Sequence, residues 1–371
     1  MAAYCPSFVD AARDGLLELV REHLDSGADP NAARADGATP FWMACQNGHE
    51  GVARVLLDAG ADPTAGMTDG VTPIWMASQN GHAGVVRMLL DAGADPDRMN
   101  DCGTTPLWIA SQNGHADVVR ALLGSGASLG SVNGRSTPLW IASQNGHEEV
   151  ARMLLVMGSD VDCPRLSDDC TPLWIACQNG HFGVVRMLFE SGASVERRNS
   201  EGIVPLRIAA QNGHAEVVRA LLREAGASPN AAGNEGVTPL WMASQNGHAE
   251  VARMLIGAGA DLEARRVNGV NGVTALGMAS KEGHLDVVRL LVGEGADVEG
   301  SFALQLAARH DRRDVAMFLI EAGASVAGEA GKLLQWQADA VASLRGEVRS
   351  LVYGIPHMLA AACGTRSFVP F

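Results

Sequence analysis

The chain has 371 residues, 47% of them hydrophobic, with 28 Lys and Arg residues against 42 Asp and Glu residues. The net charge of -14 argues against a nucleic-acid partner, because phosphate groups are repelled by an acidic surface. No apolar run approaches the roughly 20 residues that cross a bilayer, so we expect no membrane span.

Cysteine usage and the amino terminus bear on the compartment. The seven cysteines are scattered and include no Cys-x-x-Cys pair, which argues against a disulfide framework and against a zinc site. Only Cys163 and Cys170 have a spacing that a hairpin brings together, and we expect free thiols there. No apolar run follows a positive segment at the amino terminus, so we expect no signal peptide. These features predict a soluble cytoplasmic protein, with the nucleus as an alternative.

One stretch, TPLWIASQNGH at residues 105–115, recurs along the chain and sets its period. Its fourth position is separated by 32 to 34 residues from the same position in the next copy. A fixed period of this length is typical of stacked-repeat architectures. This fourth position is filled by Trp42, Trp75, Trp108, Trp140, Trp174, Arg207 and Trp241.

The stretch predicts a short helix with both ends marked. Thr105 is a good N-cap, Pro106 suits the first helical position, and Gly114 can end the helix in the left-handed conformation. A second helix is predicted over residues 116–123, and Asn133-Gly134 favours a hairpin turn. A unit this small cannot bury its apolar face alone, so the units must stack on one another.

The order Gly-x-Thr-Pro-Leu-x-x-Ala, Asn-Gly-His, Val-Val-x-x-Leu-Leu and Gly-Ala-Asp resembles the ankyrin repeat over about nine tenths of the chain. The resemblance implies an all-α solenoid of about ten helix-turn-helix units with short β-hairpin loops. The family usually has His where this chain has Trp, and that His is implied to tie a turn together. We expect aromatic packing between units to replace the tie, with an acceptor for each buried indole N–H.

The units differ along the chain. Residues 1–34 lack Thr-Pro-Leu and are more polar, which is typical of an N-terminal capping repeat. Residues 35–298 form the repeat array, and its ninth unit follows a longer hairpin at residues 265–272. Residues 299–327 keep only the apolar skeleton of the repeat and predict a degenerate C-terminal unit.

The remaining residues, 328–371, have no repeat. Apolar residues at helical spacing up to Val352 predict a helical tail, which we expect to be flexible from Gly364 onward. A helix that caps the last unit is one interpretation. A docking helix for a partner is the other.

A pair of amides before each Gly-His is the most informative candidate site. The resemblance places these two positions on the concave groove, where they usually vary with the partner, whereas here they are uniform. Recent duplication explains the uniformity; a ladder that grips an extended partner, with the hairpin tips setting specificity, is the alternative. The candidate residues are Gln79, Asn80, Gln112, Asn113, Gln144, Asn145, Gln178, Asn179, Gln211 and Asn212.

One unit breaks the pattern with cations. Arg207 replaces the Trp, and Arg197 and Arg198 lie in the hairpin just before it. If the three converge, they form a positive spot suited to a carboxylate or a phosphate group.

Two further columns have structural interpretations. The His of each Asn-Gly-His recurs without a second ligand type, so we expect no metal site, and the resemblance assigns it to bracing the turn between the two helices. An Arg column on the second helices, from Arg21 to Arg289, has acidic residues three or four positions before most of its members. We expect a solvated outer face.

No constellation in the sequence supports catalysis. There is no Gly-rich phosphate loop and no nucleophile with a matched base, so we expect no enzyme and no cofactor. The sequence favours a monomeric, non-catalytic scaffold that binds a protein partner through its concave face and hairpin tips. The alternative is a substrate-recognition subunit that the tail recruits to a larger enzyme complex.

Overall fold

The computed structural model describes residues 7–130, 136–266 and 272–325, and these residues form ten consecutive helix pairs. Each pair is one unit, numbered one to ten. In chain order the helices are α1 (Phe8–Arg13), α2 (Leu17–Asp25), α3 (Pro40–Gln46), α4 (Glu50–Asp58), α5 (Pro73–Gln79), α6 (Ala83–Asp91), α7 (Pro106–Asn113), α8 (Ala116–Gly124), α9 (Pro138–Asn145), α10 (Glu148–Val156), α11 (Pro172–Asn179), α12 (Phe182–Glu190), α13 (Pro205–Asn212), α14 (Ala215–Arg223), α15 (Pro239–Gln245), α16 (Ala249–Gly257), α17 (Ala275–Glu282), α18 (Leu285–Gly293), α19 (Ala303–Arg309) and α20 (Arg313–Glu321).

The local signals in the sequence produce the expected helix ends. Thr105 Oγ1 accepts a hydrogen bond from the backbone N–H of Trp108 at 3.1 Å, and Pro106 takes the first helical position. Gly114 ends α7 with a φ of +74°. The same cap recurs in other units, while α13 begins after Val204 with no side-chain cap. The predicted helices of the repeated stretch are therefore confirmed.

The units stack in chain order, and the stack is asymmetric. First helices of adjacent units pack against each other more extensively than second helices do. Closer packing on one side curves the array, so the first helices lie on its inner, concave side and the second helices on its outer side. A continuous apolar core runs between the two layers, through residues such as Leu107, Leu139 and Leu173.

The loops between units are turns, which corrects the expected β-hairpins. In the described loops one backbone bond crosses the mouth of the loop, such as Met67 N–H to the Val71 carbonyl at 3.0 Å, and a turn bond lies inside it, such as Gly70 N–H to the Met67 carbonyl at 3.0 Å. Successive loop tips are also joined singly, as in Ser200 N–H to the Asp168 carbonyl at 2.9 Å. One bond across the mouth of a loop does not make a ladder, and no β-strand occurs within the three described ranges.

Some predicted features fall outside the described residues. These are Asn133-Gly134, most of the long hairpin before the ninth unit, and residues 326–371. The predicted helical tail at 328–371, including its end from Gly364, therefore remains a prediction, as do the domain boundaries. Among the described residues, no helix is both long enough and apolar enough to cross a membrane.

Candidate functional site

The tryptophans form a column between units, and five of the six are buried while Trp108 is partly buried. Each indole N–H donates a hydrogen bond to the loop of the next unit, at the residue that precedes the N-cap of the next first helix. Trp140 Nε1 donates to the Cys170 carbonyl at 2.8 Å, and Trp174 Nε1 donates to the Ile203 carbonyl at 3.0 Å. The other acceptors belong to Val71, Thr104, Ser136 and Val273, for Trp42, Trp75, Trp108 and Trp241 in turn.

Arginines cover two of the indoles. The Arg165 guanidinium lies 4.3 Å from the Trp140 ring centroid, and that of Arg266 lies 5.6 Å from the Trp241 ring. Both arginines occupy the first position of the loop that follows the Trp-bearing unit, so the indole is enclosed from the next unit as well. Arg165 also pairs with Asp168, and this hydrogen bond lowers the pKa of the Asp168 carboxyl. Sequence analysis did not identify these two stacking contacts.

The Asn of six amide pairs ties neighbouring units together, whereas Asn47 donates to the Met43 carbonyl of its own helix at 2.9 Å. Asn113 Nδ2 donates to the Gln79 carbonyl at 2.8 Å, and Asn145 Nδ2 donates to the Gln112 carbonyl at 3.0 Å. Asn80, Asn179, Asn212 and Asn246 repeat the bond at 2.7 to 3.0 Å. The Asn amide therefore has a structural role in each of these units.

The histidines reach the same carbonyls. His147 Nε2 lies 3.0 Å from the Gln112 carbonyl oxygen, which also accepts from Asn145. The ring packs on the glycine of the preceding unit, here Gly114. The ring therefore braces the turn between the two helices of the preceding unit, α7 and α8, and so also joins neighbouring units. Among the described residues, no group of three or more His, Cys, Asp or Glu side chains is placed to hold a metal ion.

The Gln side chains are left without such a role. Six of the backbone carbonyls accept from an Asn and a His, and that of Gln245 accepts from His284 alone, but the side-chain amides make no hydrogen bond within the described part of the chain. All are half-buried and lie at the ends of first helices, on the concave side, one per unit. They are Gln46, Gln79, Gln112, Gln144, Gln178, Gln211 and Gln245.

Arg207 occupies the Trp position of unit seven and lies over the next loop. Its Nη1 fills the space that a side chain on Gly233 would take. Its Nε is buried with no hydrogen-bond partner among the described residues. Burial lowers the pKa of this guanidinium, against the opposing fields of Glu201 and Glu235. Neither carboxylate forms an ion pair with it in the described structure.

The other two arginines of the predicted cationic spot point in different directions. Arg198 Nη1 donates to the carbonyls of Gly202 at 3.0 Å and Ala232 at 2.6 Å, so it meets Arg207 at the same loop. Arg197 is exposed, and its charge acts on Cys163 in the preceding loop. The structure thus brings Arg198 and Arg207 together at the loop of the next unit, whereas Arg197 lies near Cys163 of the preceding loop.

The Arg column of the second helices is an exposed outer face with local ion pairs. Arg120 pairs with Asp117 at 2.5 Å and with Glu149 of the next unit at 3.0 Å. Arg219 repeats this pattern with Glu216 and Glu250. The acidic residues at helical spacing neutralise part of the column, as the sequence predicted.

The cysteines of the array are buried thiols or lie at loops. Cys45 and Cys177 are fully buried, and burial raises the pKa of both thiols far above its ordinary value. Burial together with the nearby Asp168 raises the pKa of Cys170 to about 12. Cys163 and Cys170 are both free thiols.

The comparison with known proteins agrees with this geometry. A family model described as ankyrin repeats (3 copies) matches residues 8–100, 93–165, 155–232, 173–266 and 263–329. These matches span most of the chain, so the protein belongs to the ankyrin-repeat family. A relative, ankyrin repeat-containing protein P1E11.10 of Schizosaccharomyces pombe, is 45% identical over 49 residues. That match covers 13% of this chain and 24% of the relative, so the chain spans about a quarter of the relative's length.

Proposed function

We propose that this chain is a non-catalytic scaffold that holds a protein partner on its concave face, with the loop tips adding specificity. Ankyrin repeats are typically protein-protein interaction modules, and only such repeats match here. The observation that carries the proposal is the column of Gln side chains without internal hydrogen bonds. A regular series of unoccupied amides suits an extended backbone, whose own N–H and C=O groups need partners at regular spacing.

The hydrogen bonds within the chain support the Gln side chains and the loop tips, rather than the Asn side chains, as the proposed binding residues. The Asn amides already bond to the preceding unit, so their uniformity has a structural cause. The Gln side chains have no such cause within the described residues, and the loop tips differ in sequence and are exposed at Asp69, Asp101 and Ser200. Asn199 is an exception at the tips, because its Oδ1 accepts from the backbone N–H groups of Glu201 and Ile203.

Arg207 adds a second feature to the same face. It interrupts the Trp column with a half-buried guanidinium that has no ion pair among the described residues, and Arg198 lies at the same loop. A partner that places a carboxylate at unit seven would neutralise a charge that Glu201 and Glu235 only influence at a distance. The partner is thus expected to carry an acidic residue beside its extended segment.

The test uses a photo-crosslinking amino acid in place of Gln144, and in place of Arg87 on the outer face as the control. The partner crosslinked from position 144 is identified by mass spectrometry, and its affinity is measured for the full chain. The variant Q112A/Q144A/Q178A should bind at least about tenfold more weakly, since it removes three hydrogen-bonding amides. Its backbone carbonyls still accept from Asn and His, so the fold is retained.

The matched control R87A/R253A changes two exposed outer-face residues and should leave the affinity unchanged. Equal crosslinking from positions 144 and 87, or unchanged affinity of the triple Gln variant, would remove the concave-face proposal. The predicted role of residues 328–371 in recruitment to an enzyme complex lies outside the described residues. A pull-down with and without that segment tests it separately.

A further inference from the structure

Within the described residues, the outer face carries an apolar groove between α8 and α10. Val156 and Met157, at the end of α10, are 80% and 51% exposed. Exposed apolar side chains that are grouped together mark interaction sites more often than single ones do. In the other units of the array the same two positions hold polar or small residues: Asp58-Ala59, Asp91-Ala92, Gly124-Ser125, Glu190-Ser191, Arg223-Glu224, Gly257-Ala258 and Gly293-Glu294.

The two residues form one wall of a groove between α8 and α10. The groove has a volume of about 390 Å³, and Leu123 and Met153 also line it. On the facing helix Gly124 leaves the space open, since no atom lies within 4 Å of the position of a Cβ there. The dimensions suit one bulky apolar side chain that enters from solvent.

Arginines border this apolar groove. Arg120 is shared between Asp117 and Glu149, whereas the exposed Arg152 forms no ion pair within the described residues. The chain has a net charge of -14, so this cationic border is a local exception. It favours a partner segment that carries Asp or Glu next to the apolar side chain that enters the groove. A second copy of this chain would place its own arginines against these, and the two acidic chains would repel each other.

The same groove occurs between α14 and α16 and serves as an internal comparison. There Arg219 and Arg253 take the places of Arg120 and Arg152, while Gly257 and Ala258 take the places of Val156 and Met157. Arg223 stands where Gly124 leaves open space. Equivalent positions therefore line an apolar groove between units four and five and a cationic groove between units seven and eight.

We infer that the groove between α8 and α10 is a second protein-binding site, which takes an acidic peptide segment of a partner with one bulky apolar anchor. The anchor packs on Leu123, Met153 and Val156, and an Asp or Glu beside it pairs with Arg152. The site lies on the outer face and is independent of the concave Gln column.

The test begins with a random peptide library displayed on phage and selected on the full chain. Selected peptides are synthesised, and their affinities are measured by fluorescence anisotropy. We expect enrichment of Phe, Trp, Leu or Met next to Asp or Glu. The variant V156D/M157A should weaken binding of these peptides at least tenfold, and R152A at least threefold.

The variant V156D/M157A installs the pair that α4 carries at Asp58-Ala59, so it is compatible with the fold, and a thermal melt checks this. R223A in the cationic groove is the matched control and should leave the peptide affinity unchanged. Selected peptides that lack the acidic-apolar pattern, or that bind V156D/M157A as tightly as the parent chain, would overturn the inference. So would a dimer, seen by analytical ultracentrifugation, that the same variant abolishes.

Discussion

At the residue scale, Arg207 places a charge where the other units have a Trp, and the chain loses one hydrogen bond between units. The Trp residues in the equivalent positions donate to the residue before the N-cap of the next first helix, which for unit seven is Val237. Because Gly233 has no side chain, there is space beside this loop, and the Arg207 guanidinium occupies it. Replacing Arg207 by Trp should therefore add an inter-unit hydrogen bond and remove a buried Nε without a partner.

We expect R207W to raise the free energy of unfolding by about 1 to 2 kcal/mol, measured by urea denaturation. R207M removes the charge without supplying an indole N–H, so it serves as the control and should gain less. An R207W chain less stable than the parent would show that Arg207 contributes to the fold, and would weaken the case for a partner contact at this residue.

Also at the residue scale, the buried thiols give stability a pH dependence. The pKa of Cys45 and Cys177 is raised in the folded chain, whereas in the unfolded chain it returns to about 8.5. Their contribution to stability is therefore complete below about pH 8.5 and falls as the pH rises above it. The slope is about 1.4 kcal/mol per pH unit for each thiol.

The variant C45S/C177S removes both thiols and places Ser where Ser78 and Ser111 already occupy the same slot. Unfolding with urea, at pH 7.5 and pH 10 under a non-thiol reductant, should show a larger loss of stability for the parent chain than for the variant. An identical loss in the two chains would mean that the thiols also ionise freely in the folded state.

At the scale of the element, the helix-ending glycine has two separate requirements. Gly114 has a φ of +74°, and a Cβ on it would lie 2.5 Å from His147 Nδ1 of the next unit. Gly126 has a φ of +83°, but a Cβ there would meet nothing within 4 Å. A comparison of substitutions at Gly114 and Gly126 therefore distinguishes the cost of backbone strain from the cost of the contact with the next unit.

We expect G126A to cost about 1 to 2 kcal/mol of unfolding free energy from the left-handed backbone alone. G114A should cost about 1 to 3 kcal/mol more, because the His147 ring must move. In the background of H147A, where the ring is absent, this excess should disappear. Equal costs for G114A and G126A in the parent chain would show that the ring yields without loss.

Local and non-local features differ in how far the sequence predicts them. Thr105, Pro106 and Gly114 mark the helix ends through bonds within four or five residues, so their roles follow from the sequence alone. The partners of Asn113, His147 and Arg207 lie in neighbouring units, and their identity depends on the offset between stacked units. The sequence therefore located the candidate site residues, but it did not separate the structural Asn amides from the available Gln amides.

At the scale of the whole molecule, neighbouring units are joined through the same contacts again and again. The Trp indole bonds forward to the next loop, while Asn and His bond back to the preceding Gln carbonyl. Such nearest-neighbour coupling makes the array a single cooperative body whose stability is a sum over adjacent pairs. It also holds the concave Gln column in register, which the proposed binding face requires.

The most direct test of this coupling is hydrogen exchange of the tryptophan indole N–H groups, followed by NMR on the full chain. Six indoles, those of Trp42, Trp75, Trp108, Trp140, Trp174 and Trp241, donate to the next unit and should exchange on the order of a hundredfold or more slower than a free indole. Exchange of these six at the rate of free tryptophan would contradict the account, because the column would then be open to water rather than bonded between units.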